Sequence, residues 1–164
     1  MTDRDKAGKC GLYCGACPFY LGTKNPDYRE QFIKEQGKWE DDWYCLGCGN
    51  LDEKSWGNHC SISKCAVSKS VAFCNSCSEY PCEKLISFSK DDHPHHHTVI
   101  SGSDRMKLIG FDTWLKEQAK RWSCEKCTEP FAWYSKNCFK CGQKVFNSID
   151  EDLENSNSKK CEDK

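Results

Sequence analysis

C-E-K-C at 124–127, ten further residues, then C-F-K-C-G at 138–142: no other stretch of the chain says as much about how it folds. A C-x2-C turn lets two sulfurs reach one ion at about 2.3 Å while backbone amides face the thiolates, and two such turns complete a tetrahedron. The pattern reads as a zinc ribbon over residues 123–146, with Cys124, Cys127, Cys138 and Cys141 as ligands. The aromatic run Phe131 to Tyr134 between the two pairs is the best candidate for a short antiparallel strand. Closed four-sulfur sites usually hold zinc rather than iron.

Composition explains why such a site is needed. Leu, Ile, Val and Phe number 8, 6, 4 and 8, so 26 of 164 residues, about 16%, are large and apolar. That lies below the roughly 20% at which globular folding becomes doubtful. Fifteen cysteines fill the gap, and a formal charge of only −1 with six Trp, six Tyr and eight Phe argues against disorder. The expected fold class is a small, metal-stapled α+β protein, because a chain this poor in core needs cross-links to offset conformational entropy. The charged start M-T-D-R-D-K-A-G-K and the absence of a long apolar window point to a cytoplasmic protein with no membrane span. In a reducing compartment dense cysteines read as metal ligands rather than disulfides.

Outward from the ribbon, charge and cysteine content divide the chain. Residues 8–92 hold ten cysteines and form a metal-binding module. Residues 98–122 form a cysteine-free helical connection, and 147–164 an acidic tail expected to be disordered, in which Cys161 is a bystander. Asn25 can cap a helix with Pro26 at its first position, Tyr28 and Phe32 one turn apart, and Gly37 closing it. Asp112 can cap another, on which Trp114, Leu115, Ala119 and Trp122 make one stripe, and Pro81 can open a third with Leu85, Ile86 and Phe88 inward.

In the N-terminal module the candidate ligands are Cys10, Cys14 and Cys17, Cys45 and Cys48, Cys60, Cys65, Cys74 and Cys77, and Cys82. Ten thiols do not divide by four, so two tetrahedral sites leave two cysteines over, or more metals share bridging sulfurs or recruit His59. Spacing does not choose among these, and about two to four zinc ions in all are expected. Cys10, Cys14 and Cys17 have the C-x3-C-x2-C spacing by which radical S-adenosylmethionine enzymes hold a four-iron cluster, but this chain has no room for their parallel barrel. An iron–sulfur cluster on another fold stays open as the alternative cofactor.

The ordered set C-G-L-Y-C-G-A-C-P-F-Y, C-L-G-C, H-C-S-I-S-K-C-A and F-C-N-S-C-S-E-Y-P-C-E-K-L resembles the bacterial and archaeal cysteine-rich family known as domain of unknown function 3795. The later G-F-D-T-W-L-K-E-Q-A-K-R-W-S-C-E-K-C and W-Y-S-K-N-C-F-K-C-G resemble an extension seen in many members, so the resemblance covers about residues 9–142. It implies zinc binding and supplies no reaction.

Catalytic constellations are absent from the sequence: there is no G-x-S-x-G, Walker or dinucleotide glycine pattern, and thiolate-rich sites tend to be closed. The leading expectation is therefore a non-enzymatic scaffold or interaction module that docks a protein partner. The alternatives are an iron–sulfur redox protein and a nucleic-acid-binding ribbon with Trp122, Phe131, Trp133 and Tyr134 as stacking surface. A charge of +4 over residues 98–147 is weak support for the last. H-P-H-H-H at 93–97 reads as a solvated loop, since adjacent residues cannot aim all their rings at one centre.

Overall fold

The computed structural model describes residues 3–50 and 52–154. α-Helices run through them in the order α1 (Pro18–Lys24), α2 (Pro26–Gln36), α3 (Ser61–Ser68), α4 (Glu83–Phe88), α5 (Val99–Ile109) and α6 (Phe111–Arg121), followed by a helical stretch over 148–154. Short 3-10 turns lie between several of them, beginning at Cys14, Trp56, Cys74 and Pro94 among other positions.

α2 forms as its residues dictate. The Asn25 side chain accepts hydrogen bonds from the N–H groups of Asp27 and Tyr28, and Gly37 closes the helix in the left-handed region at φ 85°. α6 buries Trp114 and Leu115, but Gly110 rather than Asp112 is its N-cap; Asp112 lies in the first turn, where a carboxylate complements the helix dipole. α4 begins at Glu83 with Cys82 as N-cap, two residues after Pro81, and buries Leu85.

α5 falls inside the helical connection expected over 98–122, but no cap or apolar stripe in the sequence marks it out, and its composition shows why. Ser101, Gly102 and Ser103 look like loop residues, yet they let the backbone of the Cys10–Cys17 segment come close. Ser103 Oγ donates to the Cys10 carbonyl at 3.0 Å, and Asn75 Nδ2 donates to the Ser103 carbonyl at 2.9 Å. Gly11 sits at φ 97°, and a Cβ there would strike Ser103 Oγ and lie 2.7 Å from the Val99 carbonyl oxygen. Small residues on both partners are what this contact requires.

The expected α+β class, with a ribbon of antiparallel strands, is overturned. The described residues contain no sheet, only isolated antiparallel bridges at Ala7–Tyr13, Ser123–Pro130 and Asn137–Lys144. The aromatic run does not pair across the loop because its N–H groups are spent elsewhere. Phe131 N–H donates to the Trp122 carbonyl, Trp133 N–H to the Ala16 carbonyl at 2.9 Å, and Ser135 N–H to Ala132. Pro130 has no N–H, and Thr128 adopts φ 60°, which turns the chain sharply just after Cys127.

The main core joins all parts of the chain: Ala16, Leu85, Val99, Trp114, Trp122, Phe131, Cys124 and Cys138 belong to one buried cluster. A smaller one joins Leu21 and Tyr28 to Ala132, with Phe139 edge-on to Tyr28 at 5.4 Å. Contacts thus cross every boundary drawn from the sequence. Asn147, where the tail was drawn to begin, accepts from the N–H groups of Ile149 and Asp150 and so caps a helical stretch over 148–154. Ser148 there is fully buried, and Glu151 pairs with Arg121 at 3.0 Å. Residues 155–164, with Cys161, lie outside the described residues. No helix is long and apolar enough to cross a membrane.

Candidate metal centre

Trp122 delivers the chain from α6 to Cys124, and two tight loops then form. Thr128 N–H donates to the Cys124 carbonyl at 2.7 Å and Cys124 N–H to the Glu129 carbonyl; in the second loop Gly142 N–H donates to Cys138 at 2.9 Å and Cys138 N–H to Gln143. The pairing at the mouth of each loop replaces the expected strands as the device that presents the sulfurs.

The result brings Cys124, Cys127, Cys138 and Cys141 together, all four Sγ atoms within 4.8 Å of one another. Cys124 Sγ lies 3.6 Å from Cys141 Sγ, and Cys127 Sγ 3.5 Å from Cys138 Sγ. A tetrahedron of sulfurs about 2.3 Å from a central ion has edges of about 3.8 Å, so the group fits a single ion with little adjustment. Burial alone would raise the Cys124 thiol, but the N–H groups of Cys127 and Lys126 and the nearby sulfurs bring it down to about 7. Cys124 and Cys138 are almost wholly buried. The group can hold a metal ion.

The ten N-terminal cysteines are arranged differently. All fourteen described cysteines are free thiols. Cys17, Cys60 and Cys82 are the N-caps of α1, α3 and α4, while Cys14 and Cys74 each open a 3-10 turn. Cys10 and Cys14 flank Gly8, their sulfurs 3.2 and 3.4 Å from where its Cβ would be. The Cys14 side chain hydrogen-bonds that of Cys48, which raises Cys14 and draws Cys48 down to about 6. Burial pushes Cys17 up to about 12 against the N–H groups of Tyr20 and Phe19. Charges on Cys82, Cys65, Cys77 and Cys60 act, after burial, to raise Cys74 to about 11. Cys17 also feels Cys45 and Cys48, and Cys10 feels Cys48, Cys60 and Cys74, so the N-terminal thiols influence one another across the module. Among the described residues, however, no three N-terminal sulfurs lie mutually within 4.8 Å.

His59 is exposed and stands outside these groups. Trp122, Phe131 and Trp133 are buried and supply core, while Tyr134 is exposed. A cleft of about 540 Å³ beside the Cys10–Cys17 segment is lined by Tyr13, Trp114 and Trp133, and its Arg105 and Arg121 are paired with Glu117 and Glu151. A further group arises in the segment expected to be a solvated loop: Asp91, His93 and His96 also bring ligand atoms within 4.8 Å of one another. A histidine at i and i+3 across a turn opened by Pro94 was the signal available.

A helical chain with a compact four-thiol group that can hold a metal ion, and eleven further cysteines in its sequence, is a cysteine-rich protein. Residues 6–87 match the family described as protein of unknown function (DUF3795), and the chain belongs to that family. The match ends before the four-thiol site, which lies in the part that follows. No curated protein and no solved structure matches the chain.

Proposed function

We propose that this protein is a metal-stapled interaction module in which the ions are structural. Cys124, Cys127, Cys138 and Cys141 hold one zinc ion, and the N-terminal cysteines hold further ions. The observation that carries the reading is the spacing of the four C-terminal sulfurs, which matches the edges of a tetrahedron and leaves no ligand position for a substrate. Binding such an ion draws together segments that share one core with α4, α5 and α6, so metal and fold are coupled. What remains for function is the surface, and docking of a protein partner there is the activity expected of it. Elemental analysis of protein purified without oxygen tests the reading: zinc is expected, and loss of circular dichroism should follow its removal by a chelator. Native spectra after verified metal loss would refute a structural role.

A specific observation favours a second reading for the N-terminal cysteines alone. Among the described residues no three of their sulfurs lie mutually within 4.8 Å. An iron–sulfur cluster, with irons and sulfides between its thiolates, suits the wider spacing. Brown protein with acid-labile sulfide that disappears in a Cys14→Ser variant would establish it, while colourless protein with zinc in proportion to both cysteine groups would remove it.

A further inference from the structure

The H-P-H-H-H segment is built, rather than loose. Pro94 opens a 3-10 turn over Pro94–His96. In that geometry side chains three residues apart eclipse one another, so His93 and His96 fall on one side while His95 and His97 face elsewhere. His95 stacks on Trp133 with ring centroids 4.0 Å apart, and its Nδ1 meets Tyr134 Oη at 2.7 Å. His97 is taken up by Asp152 at 2.8 Å through Nδ1 and by the Asp91 carbonyl at 2.7 Å through Nε2.

Two imidazoles and one carboxylate remain, and they converge. His96 Nδ1 is 2.9 and 2.7 Å from the two Asp91 carboxylate oxygens, and His93 Nδ1 is 3.3 Å from Oδ1. Ligands about 2.1 Å from an ion are separated by about 3.0 Å at right angles and about 3.4 Å at the tetrahedral angle. The separations seen, 2.7, 2.9 and 3.3 Å, run from below the right-angle value to just below the tetrahedral one.

The three groups are also held in place. His96 stacks on Phe88 at 3.8 Å, His93 N–H donates to Asp91 Oδ1 at 2.9 Å, and His97 anchors the Asp91 backbone. Orientation of ligands by neighbours of this kind is what metal sites generally need. Unlike the four-thiol site, this one is open. The His93 side chain is 61% exposed, that of His96 14% and that of Asp91 35%, so one hemisphere faces solvent.

We infer that Asp91, His93 and His96 form a second kind of metal site, which binds a divalent first-row transition ion and leaves coordination positions to water or an outside ligand. Imidazole with a single carboxylate suits zinc, cobalt, nickel or iron(II) far better than magnesium or calcium. The site stands on residues beyond the family match, and its test rests on the proposed filling of the cysteines by zinc.

The experiment uses the full chain with its cysteine-bound zinc in place, titrated with Co2+. The wild-type protein is expected to take up one ion more than a His93→Gln/His96→Gln variant, and Asp91→Asn to weaken that uptake at least about tenfold, the loss of one good ligand being worth more than about 1.4 kcal/mol. Zinc retained on the cysteines and unchanged circular dichroism in the variants would show that only this site is lost. The wild-type spectrum gives a reading that needs no variant. Visible bands of cobalt without sulfur-to-cobalt charge transfer support nitrogen and oxygen ligands, whereas charge-transfer bands place the added ion on cysteines and overturn the inference. Equal uptake by wild type and the double variant overturns it as well.

Discussion

The two sets of cysteines in this chain are presented by opposite devices. In the C-terminal part the backbone makes the site: each C-x2-C pair sits in a loop closed at its mouth, Cys124 with Glu129 and Cys138 with Gln143, and the sulfurs meet at 3.5–3.6 Å. In the N-terminal part cysteines stand at helix starts or open 3-10 turns, on segments far apart in sequence. The loop-built group is local and is complete once two turns form, whereas any gathering of the N-terminal sulfurs needs α1, α3 and α4 to dock. The lesson is that equal motif spelling, C-x2-C at 14/17, 45/48, 74/77, 124/127 and 138/141, does not mean equal geometry.

The comparison can be broken most forcefully at the buried sulfurs. Cys138→Ser should remove the C-terminal ion and cost more than about 4 kcal/mol, since Cys138 is almost wholly buried and belongs to the main core. Metal content and thermal unfolding measured together check this. A protein that loses the ion and keeps its melting temperature would show that the loops close without it. Cys14→Ser should lower the metal content carried by the N-terminal cysteines while the C-terminal ion stays bound, which the ratio of metal to protein will report.

Leu85→Ala, at a buried position on α4, should cost about 3 kcal/mol. If N-terminal metal binding requires docked helices, its affinity should fall along with stability, and that of the C-terminal site should not. Gly11→Ala tests the approach of α5 to the Cys10–Cys17 segment. The new Cβ meets Ser103 and Val99 at a positive φ, so a loss of about 2 kcal/mol is expected in denaturant unfolding. Smallest is Asn25→Ala, about 1 kcal/mol for the lost cap of α2, with the bond from Asn25 Nδ2 to Glu129 also removed.

How far the sequence discloses this molecule depends on where the information resides. α2 is legible because Asn25, Pro26 and Gly37 act through their own backbone, and the four C-terminal ligands are legible because their separation in sequence is short. α5 lies in the helical connection expected over 98–122, but its own bounds are hidden because Gly102 and Ser103 answer to a partner segment about ninety residues away, as the bond from Ser103 to Cys10 shows. The strand expected at 131–134 fails for the same reason: its aromatic side chains and N–H groups serve the core and Ala16 rather than a facing arm. The convergence of His93 and His96 is invisible to any argument that treats five successive residues as a floppy run, and follows at once from the turn that Pro94 starts.

Trp133 has one more implication. Its amide is tied to Ala16 beside the first cysteine triplet, its carbonyl accepts from Ser148, and its indole lies flat against His95, a neighbour of His96. An indole so placed is a natural optical gauge. Its emission should register events at either end of the protein, and replacing the other five tryptophans with phenylalanine would turn the molecule into its own reporter.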